Sequence, residues 1–125
     1  MKKTGPSDEI REAVIVRSEG ACEACNRAAP MSIHHRMPRK MGGTSNLWIN
    51  GVENLLALCG SGVTGCHGRV ESNRADSYDR GLLLRSGMFP WTTPFMDDDR
   101  KWWLVTEFGK RELTLPFDYT VVVKS

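Results

Sequence analysis

Apolar residues near the start of the chain recur at the spacing of one helical face. Within Ser7 to Arg17, Ile10, Ala13 and Val14 make an apolar stripe. This pattern predicts a short amphipathic helix. Ser7 has a side chain suited to an N-cap, which places the start of the helix just after it.

Two short runs in the middle of the chain predict β-strands. Met31 to Arg36 is a candidate strand halted by Pro38, and Leu55 to Leu58 is continuously apolar. Between them, Lys40 to Glu53 is rich in Gly, Ser and Asn and predicts a long loop. Loops of this length are uncommon in a small domain unless they have a function. From Cys66 to about Arg80 the pattern predicts a helix.

The last third of the chain predicts short strands. Leu82 to Leu84 is either another strand or the exit of the preceding helix. Trp102 to Phe108 and Arg111 to Leu115 flank Gly109-Lys110, which is suited to a two-residue hairpin turn. Tyr119 to Val123 is a candidate third strand. The order of elements predicts an α+β fold with an N-terminal helix and a C-terminal β-hairpin.

Length and composition favour one globular domain. The chain has 125 residues, of which 40% are hydrophobic and 26% charged, which suits a single domain over residues 1–125. We expect a core over 22–84 and a C-terminal strand extension over 88–125. No apolar run approaches the roughly 18 residues of a membrane span, and the polar start lacks a secretory signal. We therefore expect a cytoplasmic protein without a membrane partner.

The distribution of charge is more informative than its sum. The formal net charge is +2, which is too small to indicate nucleic-acid binding by itself. Arg36, Arg39 and Lys40 nevertheless lie beside a pair of histidines, where they are placed to contact backbone phosphates. The acidic triplet Asp97–Asp99 lies far away in sequence and is expected to form a solvated turn.

Four cysteines form a pattern typical of a structural zinc site. Cys22 and Cys25 have the CxxC spacing that lets two thiolates reach one ion, and a Gly-rich hexapeptide separates Cys59 from Cys66. Without an export signal, metal binding is a better expectation than disulfides. The alternative is a set of reduced, buried cysteines without a ligand. A zinc ion at this Cys₄ set would contribute to folding.

The three histidines of the chain are confined to two places close to these cysteines. His34 and His35 end the first predicted strand, and His67 directly follows Cys66. Adjacent residues of a helix diverge by about 100° around its axis, so Cys66 and His67 can face two different ions. This arrangement favours a second metal site built from imidazoles.

Together these motifs resemble the signature of the HNH endonucleases, and they are especially similar to the compact HNH proteins of tailed phages and their bacterial hosts. The likeness covers about Cys22 to Leu84. Its segments are Ile33–Arg39, Gly42–Gly43, Glu53–Cys59 and Gly65–His67. The resemblance implies a ββα-metal fold, in which two strands, a connecting loop and a helix surround one divalent cation.

The same resemblance implies a role for each matching residue. His35 corresponds to the general base, and Asn54 to the residue that braces the loop and orients that base. His34 and His67 correspond to ligands of the catalytic cation. Many relatives carry a further ligand one helical turn later, where this chain has Glu71. Glu71 is either a ligand, a hydrogen-bond acceptor near the ligands, or a solvated side chain.

The implied activity is divalent-metal-dependent hydrolysis of DNA with low sequence specificity, by nicking or cutting. The catalytic ion would be Mg²⁺ or another divalent ion such as Mn²⁺ or Ni²⁺, beside a structural Zn²⁺. Phage proteins of this appearance often act with terminase subunits in DNA packaging, inside the bacterial host cell. The alternative function is a catalytically silent zinc-stapled module that binds DNA or protein. Trp48, in the long loop, is consistent with base stacking or with packing.

Overall fold

The computed structural model describes residues 5–39 and 47–114, and these residues form a mixed α+β structure. The predicted fold class is thereby confirmed at this level. In chain order the helices and strands are α1 (Asp8–Arg17), β1 (Ser32–His35), β2 (Leu55–Leu58), α2 (Gly65–Ser72), α3 (Arg74–Asp79), β3 (Phe95–Met96), β4 (Trp102–Thr106) and β5 (Gly109–Leu113). Short 3₁₀ helices cover Leu47–Asn50, Val52–Asn54 and Pro90–Thr92.

Helix α1 begins where the sequence predicts. The Ser7 hydroxyl accepts a hydrogen bond of 3.2 Å from the backbone N–H of Ile10, which satisfies one of the free donors of the first turn. Val14 is fully buried and packs against Leu55 and Ala57. The helix is thus attached to one face of the central hairpin.

The central hairpin consists of β1 and β2, paired antiparallel. Its register places His34 opposite Leu56 and His35 opposite Leu55. Every residue of β2 is buried, because the hairpin is covered on both faces. Leu56 belongs to the largest core cluster and Leu55 to the cluster beneath α1, so adjacent strand positions face different surroundings.

A tight turn carries the chain from β2 into α2. Gly60 and Gly65 both have positive φ, +79° and +62°. A Cβ on Gly60 would lie 2.1 Å from the carbonyl oxygen of Thr64, so only glycine permits this approach of the two backbones. The turn therefore brings the residues on either side of it together. The single predicted helix after it is two helices, since Asn73 leaves the helical conformation (φ −120°, ψ 65°).

The C-terminal residues form a three-stranded antiparallel sheet in the order β3-β4-β5. The hairpin between β4 and β5 is confirmed, but its turn is displaced. The reversal lies at 107–108, and Gly109 and Lys110 already belong to β5. The third strand of this sheet is β3, whereas the predicted strand Tyr119–Val123 lies outside the described residues.

The core links this sheet to the central hairpin and α2. Its largest cluster includes Leu56 and Leu58 of the hairpin, Val70 of α2, Phe95 and Val105 of the sheet, and Leu82 and Leu83 of the segment after α3. Leu82–Leu84 is buried but belongs to no helix or strand. The backbone N–H of Leu84 donates to the carbonyl of Arg36, over 2.9 Å, so the segment packs along the end of β1. In the described ranges, no helix has the length and apolar character needed to span a membrane.

Candidate metal centres

The four cysteines lie together at one end of the central hairpin, and we call them the sulfur cluster. One ligand atom from each lies within 4.8 Å of the others, and all four thiols are free. The set is Cys22, Cys25, Cys59 and Cys66. Four cysteines without a competing ligand are the donor set of a closed, tetrahedral zinc site. The residues present therefore fit a structural zinc ion.

Backbone donors already point at these sulfurs. The N–H of Cys25 donates to the Sγ of Cys22 over 3.5 Å, and the N–H of Cys66 to the Sγ of Cys59 over 3.4 Å. Burial opposes ionisation of Cys25, but backbone N–H groups of Ala28 and Arg27 outweigh it and lower its pKa to about 7. Burial raises the pKa of Cys66. A bound cation would reverse that effect, because metal-bound thiols are deprotonated.

Glu23 ties the first cysteine pair to strand β2. Its side chain is buried, and Oε1 accepts from the backbone N–H of Ala57 over 2.9 Å. Arg17 at the end of α1 donates to both carboxylate oxygens, over 3.0 and 2.6 Å. The positive charge and the backbone donor together compensate for burial of the carboxylate. The sulfur cluster is thus held in place by α1 and β2.

The acidic triplet is not the solvated turn that the sequence predicts. Asp97 is only 1% exposed and accepts from Trp103 Nε1 over 2.9 Å and from Asn26 Nδ2 over 2.8 Å. Burial opposes its charge, but these hydrogen bonds outweigh burial and lower the pKa of Asp97. Asp98 accepts from Arg69 and Arg80, each over 2.9 Å. The triplet therefore joins the C-terminal sheet to the loop that carries Cys25 and to α2.

A second group of metal-ligating side chains, which we call the histidine cluster, joins β1 to α2. It consists of His34, His67 and Glu71, whose ligand atoms lie within 4.8 Å of one another. The imidazole rings of His34 and His67 are 5.1 Å apart, and His34 Nδ1 lies 4.0 Å from Glu71 Oε1. His34 and His67, which are predicted to share one cation, thus lie close together. Glu71, which the sequence left open, joins them because it follows His67 by one helical turn.

Hydrogen bonds orient both imidazoles of this cluster. His34 Nε2 lies 2.7 Å from the carbonyl oxygen of Leu82, which can only accept, so the proton is on Nε2 and Nδ1 keeps its lone pair. The Ser32 hydroxyl contacts the carbonyl of Gly60 over 2.8 Å and His67 Nδ1 over 2.7 Å. Since the hydroxyl hydrogen is given to the carbonyl, His67 Nδ1 donates and Nε2 keeps its lone pair.

Burial keeps these imidazoles neutral, as metal ligation requires. Desolvation lowers the pKa of His34 to about 3. Desolvation also lowers the pKa of His67, although the nearby charge of Glu71 opposes that shift. Two neutral imidazoles and one carboxylate are donors that suit Mn²⁺, Ni²⁺ or Zn²⁺, and the carboxylate also suits Mg²⁺.

His35 lies next to His34 on β1 but is outside the histidine cluster. Its Nε2 lies 2.8 Å from Oδ1 of Asn50, and because that oxygen can only accept, His35 Nδ1 keeps a lone pair. Burial lowers the pKa of His35, and the Asn50 contact opposes the shift. The sequence analysis did not identify Asn50. The available signal was that Asn50 is a polar residue near the end of the predicted long loop, without an evident packing role.

Asn54 braces the chain on both sides of the long loop. Its side chain is fully buried, with Oδ1 accepting from Met37 N–H over 2.8 Å and Nδ2 donating to the carbonyls of Met37 and Ile49. The resemblance also implies that Asn54 orients His35, but the recorded hydrogen-bond partner of His35 is Asn50. The backbone carbonyl of Asn54 accepts from the N–H of Arg36 over 2.8 Å.

Arg36 is not placed to contact phosphates, so this part of the predicted DNA-binding set is wrong. Its side chain has no exposed surface and donates to the carbonyls of Gly81, Pro90 and Thr93. These three carbonyls lie outside helices and strands or at the edge of a short helix. The guanidinium supplies the hydrogen-bond donors that such buried carbonyls require. Arg39 is exposed, and Lys40 lies outside the described residues.

Arg74, which the sequence did not single out, lies beside the histidine cluster, and Arg85 shares its aromatic neighbour Tyr78. Arg74 contacts Glu71 over 3.3 Å, and its guanidinium lies 5.6 Å from the centre of the Tyr78 ring. Arg85 lies 4.1 Å from the same ring. Both arginines are exposed. Arg74 thus brings positive charge to Glu71, at a position that the packing of α2 and α3 determines.

This chain was compared with protein families, curated proteins and solved structures. No family model, no curated protein and no solved structure matches this chain. The geometry of the two clusters is therefore the basis for the functional proposal below.

Proposed function

We propose that this chain is a divalent-metal-dependent endonuclease of the HNH type, which hydrolyses DNA phosphodiester bonds with low sequence specificity. The observation that carries the proposal is the convergence of His34, His67 and Glu71, with His35 at the next position of β1. The two strands and the helix that hold them are the elements that a ββα-metal site requires. The sulfur cluster at the same hairpin is a separate donor set, and it supports the proposal of a site held together by a structural zinc ion.

The histidine cluster is the proposed place of the catalytic cation. His34 Nδ1, His67 Nε2 and a Glu71 oxygen are the three donors, and three protein ligands leave coordination positions for substrate. A divalent cation bound there would neutralise charge on the scissile phosphate and on the leaving oxygen. Mg²⁺, Mn²⁺ and Ni²⁺ are all compatible with this mixed donor set.

His35 is the proposed general base. Its Nδ1 takes a proton from the water that attacks phosphorus, while Nε2 remains bonded to Asn50. A new P–O bond forms to the water oxygen, and the P–O bond to the leaving 3′ oxygen breaks. That oxygen is then protonated from solvent, which gives 3′-hydroxyl and 5′-phosphate ends. Because burial lowers the pKa of His35, the ring is neutral and able to accept a proton at neutral pH.

Exposed cations around the cluster are the proposed contacts to the DNA backbone. Arg39, Arg74 and Arg85 are exposed, and they replace Arg36 in this role. Contacts to phosphate carry little sequence information, which agrees with low specificity. Activity beside a phage terminase follows only from the resemblance and is tested by co-purification with a terminase subunit.

A plasmid-nicking assay tests the proposal. Zinc-loaded protein is incubated with supercoiled plasmid and Mg²⁺, Mn²⁺ or Ni²⁺, with and without chelator. We expect conversion to nicked or linear DNA, abolished in His35→Ala and retained in Phe108→Ala, which changes an aromatic residue that is 92% exposed on the β4–β5 turn. Plasmid that stays supercoiled with every metal would refute the nuclease and favour the silent zinc-stapled module.

A further inference from the structure

Three aromatic side chains contact one another at a partly exposed surface, and we call them the aromatic platform. They are Trp48, Phe89 and Trp91. Phe89 is 37% and Trp91 38% exposed. Isolated exposed apolar residues are ordinary, whereas the adjoining open surfaces of Phe89 and Trp91 make a candidate binding site.

The ring geometry of the platform is that of a partly built stack. Phe89 and Trp91 lie 5.0 Å apart with their planes inclined by only 24°. Trp48 meets Trp91 edge-on, at 90° and 5.6 Å, and so supports the stack from the side. A further planar ring can stack on the Phe89–Trp91 pair while Trp48 keeps its position.

The platform is firmly attached to the core. Trp48 and Met88 pack against the buried cluster of Met37, Ile49 and Leu84. The 3₁₀ helix Pro90–Thr92 carries Trp91, and its first residue accepts a hydrogen bond from the buried Arg36. Ring positions held this rigidly lose little conformational entropy when a ligand binds.

A single 3₁₀ helix connects the platform to the proposed base. Leu47–Asn50 carries both Trp48 and Asn50, and Asn50 is the residue bonded to His35. Since such a helix rises by about 2 Å per residue, the two side chains start only a few ångströms apart. A DNA strand with its phosphate near His35 therefore has a neighbouring base within reach of the platform.

Two arginines lie near His35. Arg11 and Arg39 are both exposed, and both act electrostatically on His35. Aromatic rings beside cations are the combination that binds single-stranded nucleic acid, in which the bases stack on rings and the cations follow the backbone. Apolar rings alone would fit a protein partner equally well; the arginines near His35 favour DNA.

We infer that the aromatic platform stacks an unpaired base, so that the preferred substrate is single-stranded or locally unpaired DNA next to the cleaved bond. In a duplex both faces of a base are covered by its neighbours, and stacking on protein requires the base to leave the helix. This inference rests on the proposed function, because it locates the cleaved phosphate at His35.

Binding measured without cleavage tests the inference. Zinc-loaded full-length protein, with no other divalent ion added, is titrated with a fluorescein-labelled 20-nucleotide single strand of mixed sequence and with the matching duplex. Anisotropy gives both values of Kd. We expect tighter binding of the single strand. Trp91→Ala should weaken that binding by about tenfold and change duplex binding less than twofold.

Two further variants separate stacking from folding. Trp91→Phe keeps a ring and should retain single-strand binding, while Phe108→Ala removes an exposed ring elsewhere and should have no effect. Equal binding of single strand and duplex, or unchanged single-strand binding by Trp91→Ala and Phe89→Ala, would overturn the inference. Absence of binding to both the single strand and the duplex would also overturn it, and would favour a protein-docking surface. The plasmid assay independently tests the nuclease, so the two failures remain distinct.

Discussion

The sulfur cluster and the histidine cluster share one hairpin and one helix, yet their donor sets differ in number and kind. Cys66 and His67 are neighbours on α2, and their side chains enter different clusters. The sulfur cluster has four donors of one kind, close to backbone N–H groups. The histidine cluster has three donors of mixed kind, and the exposed Arg74 contacts one of them. Four protein ligands close a metal site, whereas three leave it open to substrate.

Under the proposed function, the start of α2 would supply ligands to both a structural ion and a catalytic ion. The turn through Gly60 and Gly65 brings Cys59 and Cys66 together, and that approach places His67 against His34. We therefore expect loss of the sulfur cluster to disable both sites. Loss of the histidine cluster should leave the sulfur cluster intact.

The largest expected effect is on folding, in Cys66→Ser. Structural zinc contributes about 10 kcal/mol or more in small zinc domains, which is comparable to the whole stability of a small protein. We expect bound zinc to fall and the cooperative thermal transition to disappear. Metal analysis and circular dichroism measure the two. His67→Ala is the matched control and should keep its zinc; a folded, zinc-free Cys66→Ser protein would contradict the structural role.

The next effect is on catalysis, in His35→Ala. Removal of a general base costs typically about 10²–10⁴-fold in rate, and we expect plasmid nicking to fall by this amount. Zinc content and melting temperature should remain those of the unchanged chain. Normal nicking by the variant would show that the base is another residue.

A smaller effect is expected from Asn50→Ala, which removes the hydrogen-bond partner of His35 without removing the imidazole. Residues that orient a functional imidazole typically contribute about 10–100-fold. We expect nicking to fall within this range and the pH profile of the rate to shift, because the Asn50 contact raises the pKa of His35. A lower rate with an unchanged pH profile would indicate a merely structural role for Asn50.

The smallest effect is expected from Asp97→Asn, on the side of the sulfur cluster. The substitution weakens charged hydrogen bonds to Trp103 and Asn26, and we expect a loss of about 1–2 kcal/mol in the free energy of unfolding. Urea denaturation measures this loss. Nicking at a temperature where the variant is folded should be unchanged; reduced nicking there would connect the triplet to the histidine cluster.

Local patterns were enough to predict most elements. The N-cap at Ser7 and the strand Leu55–Leu58 depend on neighbouring residues alone, and both are observed. The CxxC spacing and the turn residues were enough to place the four cysteines in one cluster. These predictions succeed because capping, alternation and tight turns are determined over a few residues.

Predictions about surface and partners were less successful. Arg36 was expected to face phosphate and Asp97 to face water, yet both are buried among hydrogen-bond partners from distant segments. The sequence does not reveal whether the charge of a residue is stabilised by solvent or by buried hydrogen-bond partners. The break between α2 and α3 at Asn73 also depends on packing that periodicity does not reveal.

The amino-acid sequence by itself determined the α+β class, the hairpin strands, the gathering of the cysteines and the candidate histidines, because each depends on short-range spacing. Only the tertiary structure decided that Glu71 joins His34 and His67, that Asn50 holds His35, and that Arg36 is internal. These contacts join residues far apart in the chain. Their geometry follows from how the hairpin, α2 and the segment after α3 pack together, which no local pattern encodes.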